Sequence, residues 1–233
     1  MKKNNRIWIY SLNTMVIFLL SLSISFKSIA QESTVIVKDV DGNVYKTVRI
    51  GTQTWMAENL KATKYNNGTP IPLVTTDTEW SNLSTPGYCW YLNDEATYKN
   101  IYGALYNWYT VNTKKLCPAG WHVPSDAEWT TLTTYLGGVS VAGEKLRETS
   151  TTHWNSPNPR TTNEYNFTAL PGGLRDNKGA FRSIGSHGWW WSAQEFEVLS
   201  SAANCWFIYC KSPYMLLSAD KKEFGLSIRC LKD

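Results

Sequence analysis

The chain reads as an α+β fold: loop-rich, with two to three helices and short strands. Three observations lead there. Two apolar stripes at helical spacing sit in the middle of the sequence, short alternating segments flank them, and Thr, Asn, Pro and Gly fill the connections.

The first thirty residues read as a signal peptide. Lys2, Lys3 and Arg6 form a basic head, and the apolar run from Met15 to Phe26 has the length of a secretory h-region. Ser21, Ser23 and Ser25 interrupt that run, which falls short of the about 20 apolar residues a membrane crossing needs. Ser28 and Ala30 occupy the −3 and −1 positions of a cleavage site, so the mature chain is expected to begin at Gln31, with no lipid-anchoring cysteine after the cut. Residues 31–233 then form a single domain, secreted or held at a cell surface, without a membrane span.

Cleavage also changes the charge. Residues 1–30 hold four of the 23 lysines and arginines and none of the 19 aspartates and glutamates, so 19 of each sign remain. A neutral domain has no electrostatic footprint for nucleic acid, and that class of partner is excluded.

Along the domain, alternating residues around Asp41-Gly42-Asn43 predict a β-meander from about Thr34 to Met56 with a type I′ hairpin turn. Asp39-x-Asp41-x-Asn43 looks like the opening of a calcium loop, but the glycine comes too early and Ile50 stands where a bidentate Glu belongs. Calcium is therefore possible but not indicated, and no other cofactor is expected. Tyr102, Leu105, Tyr106 and Tyr109 recur at helical spacing and predict a helix from about Ile101 to Val111. Ser125 and Glu128 stand in capping-box register before Trp129, Leu132 and Leu136, and Gly137-Gly138 supplies the stop. A shorter helix is expected over 142–148, and strands over 167–170, 188–192, 203–210 and 224–231.

Eleven of the twelve tryptophans lie beyond residue 30. Trp55, Trp90, Trp108, Trp121 and Trp129 are assigned to the core. In Trp189-Trp190-Trp191, strand alternation makes the middle ring oppose its neighbours. Trp190 is therefore the ligand-face candidate, rimmed by a polar segment that includes Arg175, Asp176, Asn177 and His187. Glu58 and Glu128 could be paired as glycosidase carboxylates, but Glu128 already has a capping task.

The motifs Ile50-Gly51-x-Gln53-x-Trp55-Met56-Ala57-Glu58-Asn59-Leu60, Tyr102-Gly103-Ala104-Leu105-Tyr106-Asn107-Trp108, Cys117-Pro118-x-Gly120-Trp121-His122-Val123-Pro124-Ser125-x-x-Glu128-Trp129 and Trp191-Ser192, with Asp41-Gly42-Asn43-x-Tyr45, resemble the Fibrobacter succinogenes major paralogous domain over residues 35–233. More distantly, His122 to Trp129 is similar to a signature of the formylglycine-generating enzyme superfamily, which implies a C-type-lectin-like fold with small twisted antiparallel sheets. That likeness implies a disulfide from Cys117 to Cys230, since lectin-like folds tie such a position to the last strand.

It also raises Cys205 and Cys210, which stand at the spacing of that superfamily's copper(I) ligands. Residues five apart on an extended strand face opposite ways unless a bulge intervenes, which counts against a copper pair; a disulfide between them, or from one of them to Cys89, is the stronger expectation. Function follows as a non-enzymatic recognition or adhesion domain whose partner is a glycan or a surface protein. The alternatives are a copper-dependent thiol oxidase and a purely structural envelope module.

Overall fold

The computed structural model describes residues 36–156 and 160–233, all within one compact unit. The expected signal peptide, residues 1–30, lies outside the described residues. Among the described residues no helix is long and apolar enough to cross a membrane.

In chain order the elements are β1 (Val37–Lys38), β2 (Val44–Tyr45), β3 (Thr47–Ile50), β4 (Gln53–Met56), α1 (Asp77–Ser81), β5 (Tyr88–Cys89), α2 (Glu95–Tyr102), β6 (Leu105–Tyr106), α3 (Trp108–Asn112), β7 (Trp121–His122), α4 (Asp126–Tyr135), α5 (Val139–Leu146), β8 (Gly172–Arg175), β9 (Phe181–Ile184), β10 (His187–Glu195), β11 (Ala202–Tyr209), β12 (Met215–Lys221) and β13 (Leu231–Lys232). The architecture is α+β, with five helices rather than two or three among the described residues. One sheet has strand order β3-β4-β13-β7, a second has β10-β11-β12, and β1-β2, β5-β6 and β8-β9 are two-stranded. All named strand pairs are antiparallel.

Several local expectations meet a different outcome. The turn after β1 is not type I′: Gly42 N–H bonds to Asp39 O, Asp39 N–H bonds to Asn43 O, and positive φ falls on Gly42 rather than on Asp41. That is a wider loop closed by a glycine bulge. The carboxylates of the supposed calcium string are taken by protein donors. Asp39 accepts from Asn43 and the Tyr45 hydroxyl, and Asp41 from Thr63 and Lys64.

The helix expected over 101–111 is broken into α2, β6 and α3. Gly103 sits at φ +74°, where an added Cβ would meet Leu60 O, and its neighbour Ala104 donates its N–H to that same oxygen at 3.0 Å. Asn107 then restarts a helix by capping Thr110 N–H. Residues 167–170 form only a bridge from Ala169 to Arg147, and 224–231 reach strand pairing only at β13 and isolated bridges. The β8-β9 hairpin and β12 are strands the sequence pattern did not indicate.

The capping box of α4 forms as expected. Ser125 accepts from Glu128 N–H, Glu128 Oε2 accepts from Ser125 N–H at 2.8 Å, and Gly137 and Gly138 follow with positive φ. Trp55, Trp90, Trp108, Trp121 and Trp129 are all buried. Cys117 and Cys230 are disulfide-bonded.

One polar hub ties the interior together. Arg229 is fully buried, and Asn59 Oδ1 accepts from its Nε at 3.1 Å and its Nη2 at 2.9 Å, while also accepting from Trp190 Nε1 at 2.9 Å. Arg229 Nη1 bonds to Phe167 O at 2.6 Å, and Asn59 Nδ2 bonds to Tyr102 O at 2.9 Å. Burial pushes the guanidinium down to about 9, opposed by the nearby Glu58, so it stays charged at neutral pH. Asn59→Leu keeps the volume and removes the shared Oδ1, leaving the buried Nε and Nη2 of Arg229 and the indole N–H of Trp190 without their acceptor. The expected cost is about 3–5 kcal/mol, read as a lowered urea midpoint with an unchanged m-value.

Candidate functional site

The sheet β10-β11-β12 is the largest continuous surface on which side chains can alternate between two environments. Its register pairs Trp190 with Trp206 and then Leu217, and Trp189 with Phe207 and then Leu216. Successive residues point to opposite faces, so these two rows lie on opposite sides.

The face carrying Trp190, Trp206 and Ile208 is covered by α4 and α5. Trp129 of α4 stacks on Trp206 at 6.3 Å and lies 6.4 Å from Trp190, and Leu132, Ala142 and Leu146 belong to the same cluster. Asp126, at the start of α4, accepts from Trp206 Nε1 at 3.1 Å. Trp190 does oppose its neighbours, but toward this covered side. It is 0% exposed with its N–H bonded to Asn59, so it offers no ligand face, and that expectation is corrected.

The other face is closed at one end and open at the other. Trp191 and Cys205 are buried in the first core cluster, with Trp191 Nε1 bonded to Tyr106 O at 2.8 Å. Toward the start of β10, four rings remain half-buried: His187, Trp189, Phe207 and Tyr209. Trp189 and Phe207 stack at 4.4 Å, His187 and Tyr209 at 4.6 Å, and His187 and Trp189 at 5.8 Å, with planes within 24° of parallel. Leu216, 37% exposed, continues the row on β12. Ser186 Oγ lies 3.0 Å from His187 Nδ1, and burial lowers the His187 pKa, so the ring is neutral at pH 7. The result is an uncharged aromatic surface on a rigid three-stranded support.

The other proposed rim residues do structural work elsewhere. Arg175 is fully buried between the rings of Trp80 at 4.6 Å and Phe181 at 4.8 Å, and bonds to Gly179 O, Val74 O, Thr75 O and Asp77. Asp176 closes the β8-β9 turn by accepting from Lys178 N–H, Ala180 N–H and Arg182 Nε. Asn177 is half-buried in that same turn. Of the five ligand candidates, His187 alone lies on the aromatic face. Trp189, Phe207 and Tyr209 were missed, although the alternation of Trp206-Phe207-Ile208-Tyr209 on an expected strand could have indicated the last two.

Cys89, Cys205 and Cys210 are free thiols, buried in three separate core clusters. This corrects both the disulfide expected among them and the copper pair: Cys205 and Cys210 stand on opposite faces of the β11 region and cannot share an ion. Among the described residues no group of three or more His, Cys, Asp or Glu could hold a metal. Burial pushes the Cys89 thiol up to about 12; burial and the neighbouring Asp220, whose Oδ2 accepts its S–H at 3.4 Å, raise that of Cys205.

His122 bridges two carboxylates, with Nδ1 2.6 Å from Asp233 and Nε2 2.9 Å from Glu128. Ser125 Oγ donates to Glu128 rather than to His122, so the hydroxyl has no imidazole base and the group is an ion-pair clasp.

A family model, the Fibrobacter succinogenes major domain, matches residues 48–232. The chain belongs to this family. Comparison with curated proteins and with solved structures finds no match for it. Residues of the motifs quoted above take part in the interior network: Asn59 accepts from Trp190 Nε1, and Trp108 Nε1 bonds to Ser192 O at 3.0 Å.

Two outcomes are expected. In the native protein a thiol reagent labels none of Cys89, Cys205 and Cys210 and, after unfolding, labels three equivalents. The clasp gives a pH window. Burial lowers the His122 pKa but its bonds to Asp233 and Glu128 raise it more, whereas burial raises that of Glu128 but Ser125 and His122 lower it more. The histidine contribution is full below its ordinary 6.5 and lost as pH rises through the raised value; the glutamate contribution is present above its ordinary 4.5 and lost as pH falls through the depressed value. The stability difference between wild type and His122→Gln should therefore peak between those pH values and stay below about 1 kcal/mol, because the groups are part-exposed and screened.

Proposed function

We propose that this chain is an exported, non-enzymatic recognition domain that binds a glycan on the open aromatic face of β10-β11. A half-buried row of stacked rings, His187, Trp189, Phe207 and Tyr209, next to a supporting core carries the reading. Ring faces hold negative quadrupole density, which attracts the partly positive C–H faces of pyranose rings, and a rigid platform loses little entropy on binding. The neutral charge balance of residues 31–233 agrees with an uncharged ligand rather than a nucleic acid or an anionic membrane.

A C-type-lectin-like arrangement is part of the proposal. It is supported by the early strand β4 lying beside the last strand β13, and by the Cys117–Cys230 bridge, which ties the approach to α4 to the chain end. The non-enzymatic part is supported by the state of the reactive groups. The free thiols are buried, the Ser125 hydroxyl is spent on a helix cap, and both Glu128 oxygens are occupied by Ser125 and His122.

Affinity electrophoresis of the chain without its first thirty residues, against a panel of polysaccharides, tests this. Retention by at least one glycan, unchanged by chelator, should fall at least tenfold for Trp189→Ala and for Phe207→Ala, equivalent to about 1.4 kcal/mol or more. Lys178→Ala, on the exposed β8-β9 turn, should leave it unaltered. No retention across the panel would overturn the glycan reading.

A further inference from the structure

β9 passes to β10 through the turn Gly185-Ser186, which is pinned by its own backbone bonds. Ser183 stands at φ +65°, and its carbonyl accepts from Ser186 N–H at 3.1 Å. Gly185 N–H bonds to Pro171 O at 2.9 Å, and Ser186 O accepts from Cys210 N–H at 2.8 Å. His187 follows directly, its ring stacked on Tyr209 at 4.6 Å and on Trp189 at 5.8 Å. The imidazole is thereby held in place at the end of the aromatic face.

Ser186 decides which imidazole nitrogen carries the proton. Its Oγ lies 3.0 Å from Ser183 O and 3.0 Å from His187 Nδ1. A hydroxyl has one proton to give, and a carbonyl oxygen can do nothing but accept. Both bonds form together only if Ser186 Oγ donates to Ser183 O and His187 Nδ1–H donates to Ser186 Oγ. In the neutral ring Nε2 is then the bare nitrogen, an acceptor. It has no partner among the described residues and, unlike the buried Nε1 of Trp189, stays open to solvent.

The ring is faced by Tyr209 and Phe207 from β11, by Trp189 on its own strand and by Ser186, and of these Tyr209 titrates. Leu170 and Pro171, against Gly188 and Gly185, carry no charge. The Cys210 thiol belongs to the second core cluster, Arg182 of β9 is paired with Asp176, and Lys211 is exposed. Burial lowers the His187 pKa, with no charged group contributing.

We propose that His187 Nε2 is the acceptor that selects the ligand of the aromatic face, restricting it to neutral, hydroxyl-bearing polysaccharides and excluding polyuronates. This rests on the glycan reading above. A sugar hydroxyl donates to Nε2. A carboxylate has no proton to give, so it meets the nitrogen lone pair with its own and loses hydration without replacement. Protonation reverses the sign: Nε2–H of the imidazolium donates, and a carboxylate becomes an acceptable partner.

Imidazole nitrogen NMR of the chain without its first thirty residues reads the tautomer with no ligand present. At neutral pH His187 should show a protonated Nδ1 and a bare Nε2, assigned by their loss in His187→Phe and shifted toward Nε2–H in Ser186→Ala. Affinity electrophoresis then compares mannan, galactan and glucan, each beside its polyuronate. A neutral polymer should be retained and its polyuronate not, with retention at least about fivefold weaker in His187→Phe, which keeps a ring in the stack. As pH falls below the ordinary 6.5 to where NMR shows the ring doubly protonated, polyuronate retention should appear in the wild type and not in His187→Phe. A bare Nδ1, equal retention of a polymer and its polyuronate at neutral pH, indifference to His187→Phe, or no polyuronate retention by the imidazolium would each overturn this proposal and leave Trp189-dependent glycan binding standing. Retention of no polymer would overturn it together with the proposed function.

Discussion

The buried guanidinium of Arg229 sets the main constraint on this fold. A charge with no exposure is tolerable only if the interior supplies acceptors, and here Asn59 Oδ1, Phe167 O and Met56 O supply them. Those three acceptors come from the end of β4, the segment after it and the loop before β8, while the donor lies just ahead of β13. Bonds from Asn59 reach further, to Trp190 on β10 and to the carbonyl that ends α2. A single side-chain amide thus joins four segments that are far apart in sequence, and Arg229 adds a fifth through Phe167 O. The backbone follows the same path, with Leu60 N–H bonded to Ile228 O and Met56 N–H to Cys230 O.

This hub explains why so little regular secondary structure is enough. Long loops must satisfy their own backbone groups, and here they do so through side-chain amides and indoles: Asn107 holds Gly87 N–H and Thr85 O, and the indoles of Trp108 and Trp191 bond to backbone oxygens. Large rings then fill the space that helices would otherwise occupy. The disulfide adds a covalent tie between Cys117 and Cys230, 113 residues apart, and the chain-entropy estimate gives such a loop about 4–5 kcal/mol. The same ring-rich construction, left uncovered at one end of β10-β11, yields the aromatic face on which the functional reading rests.

Local signals were legible where a few neighbouring residues decide the outcome. The α4 capping box needs only Ser125 and Glu128, and the opposition of Trp190 to Trp189 and Trp191 needs only strand alternation. Periodicity misled over 101–111, because Tyr102, Leu105, Tyr106 and Tyr109 share helical spacing while Gly103 is pressed against Leu60, 43 residues earlier. β12 was invisible for a related reason: its neighbouring leucines Leu216 and Leu217 are exposed on opposite faces, so its hydrophobic pattern does not alternate.

The sequence alone determined the fold class, the five core tryptophans and the residues able to bear a charge or a thiol, since these depend on composition and short spacing, while the family showed through the likeness of its ordered motifs. Tertiary structure decided which side of β10 is open, that Trp190 is spent on Asn59 while Trp189 meets solvent, and that three cysteines stay apart in separate clusters. The physical reason is the same in each case. Alternation assigns a residue to one of two faces, but burial of that face depends on α4 and α5 packing from elsewhere in the chain.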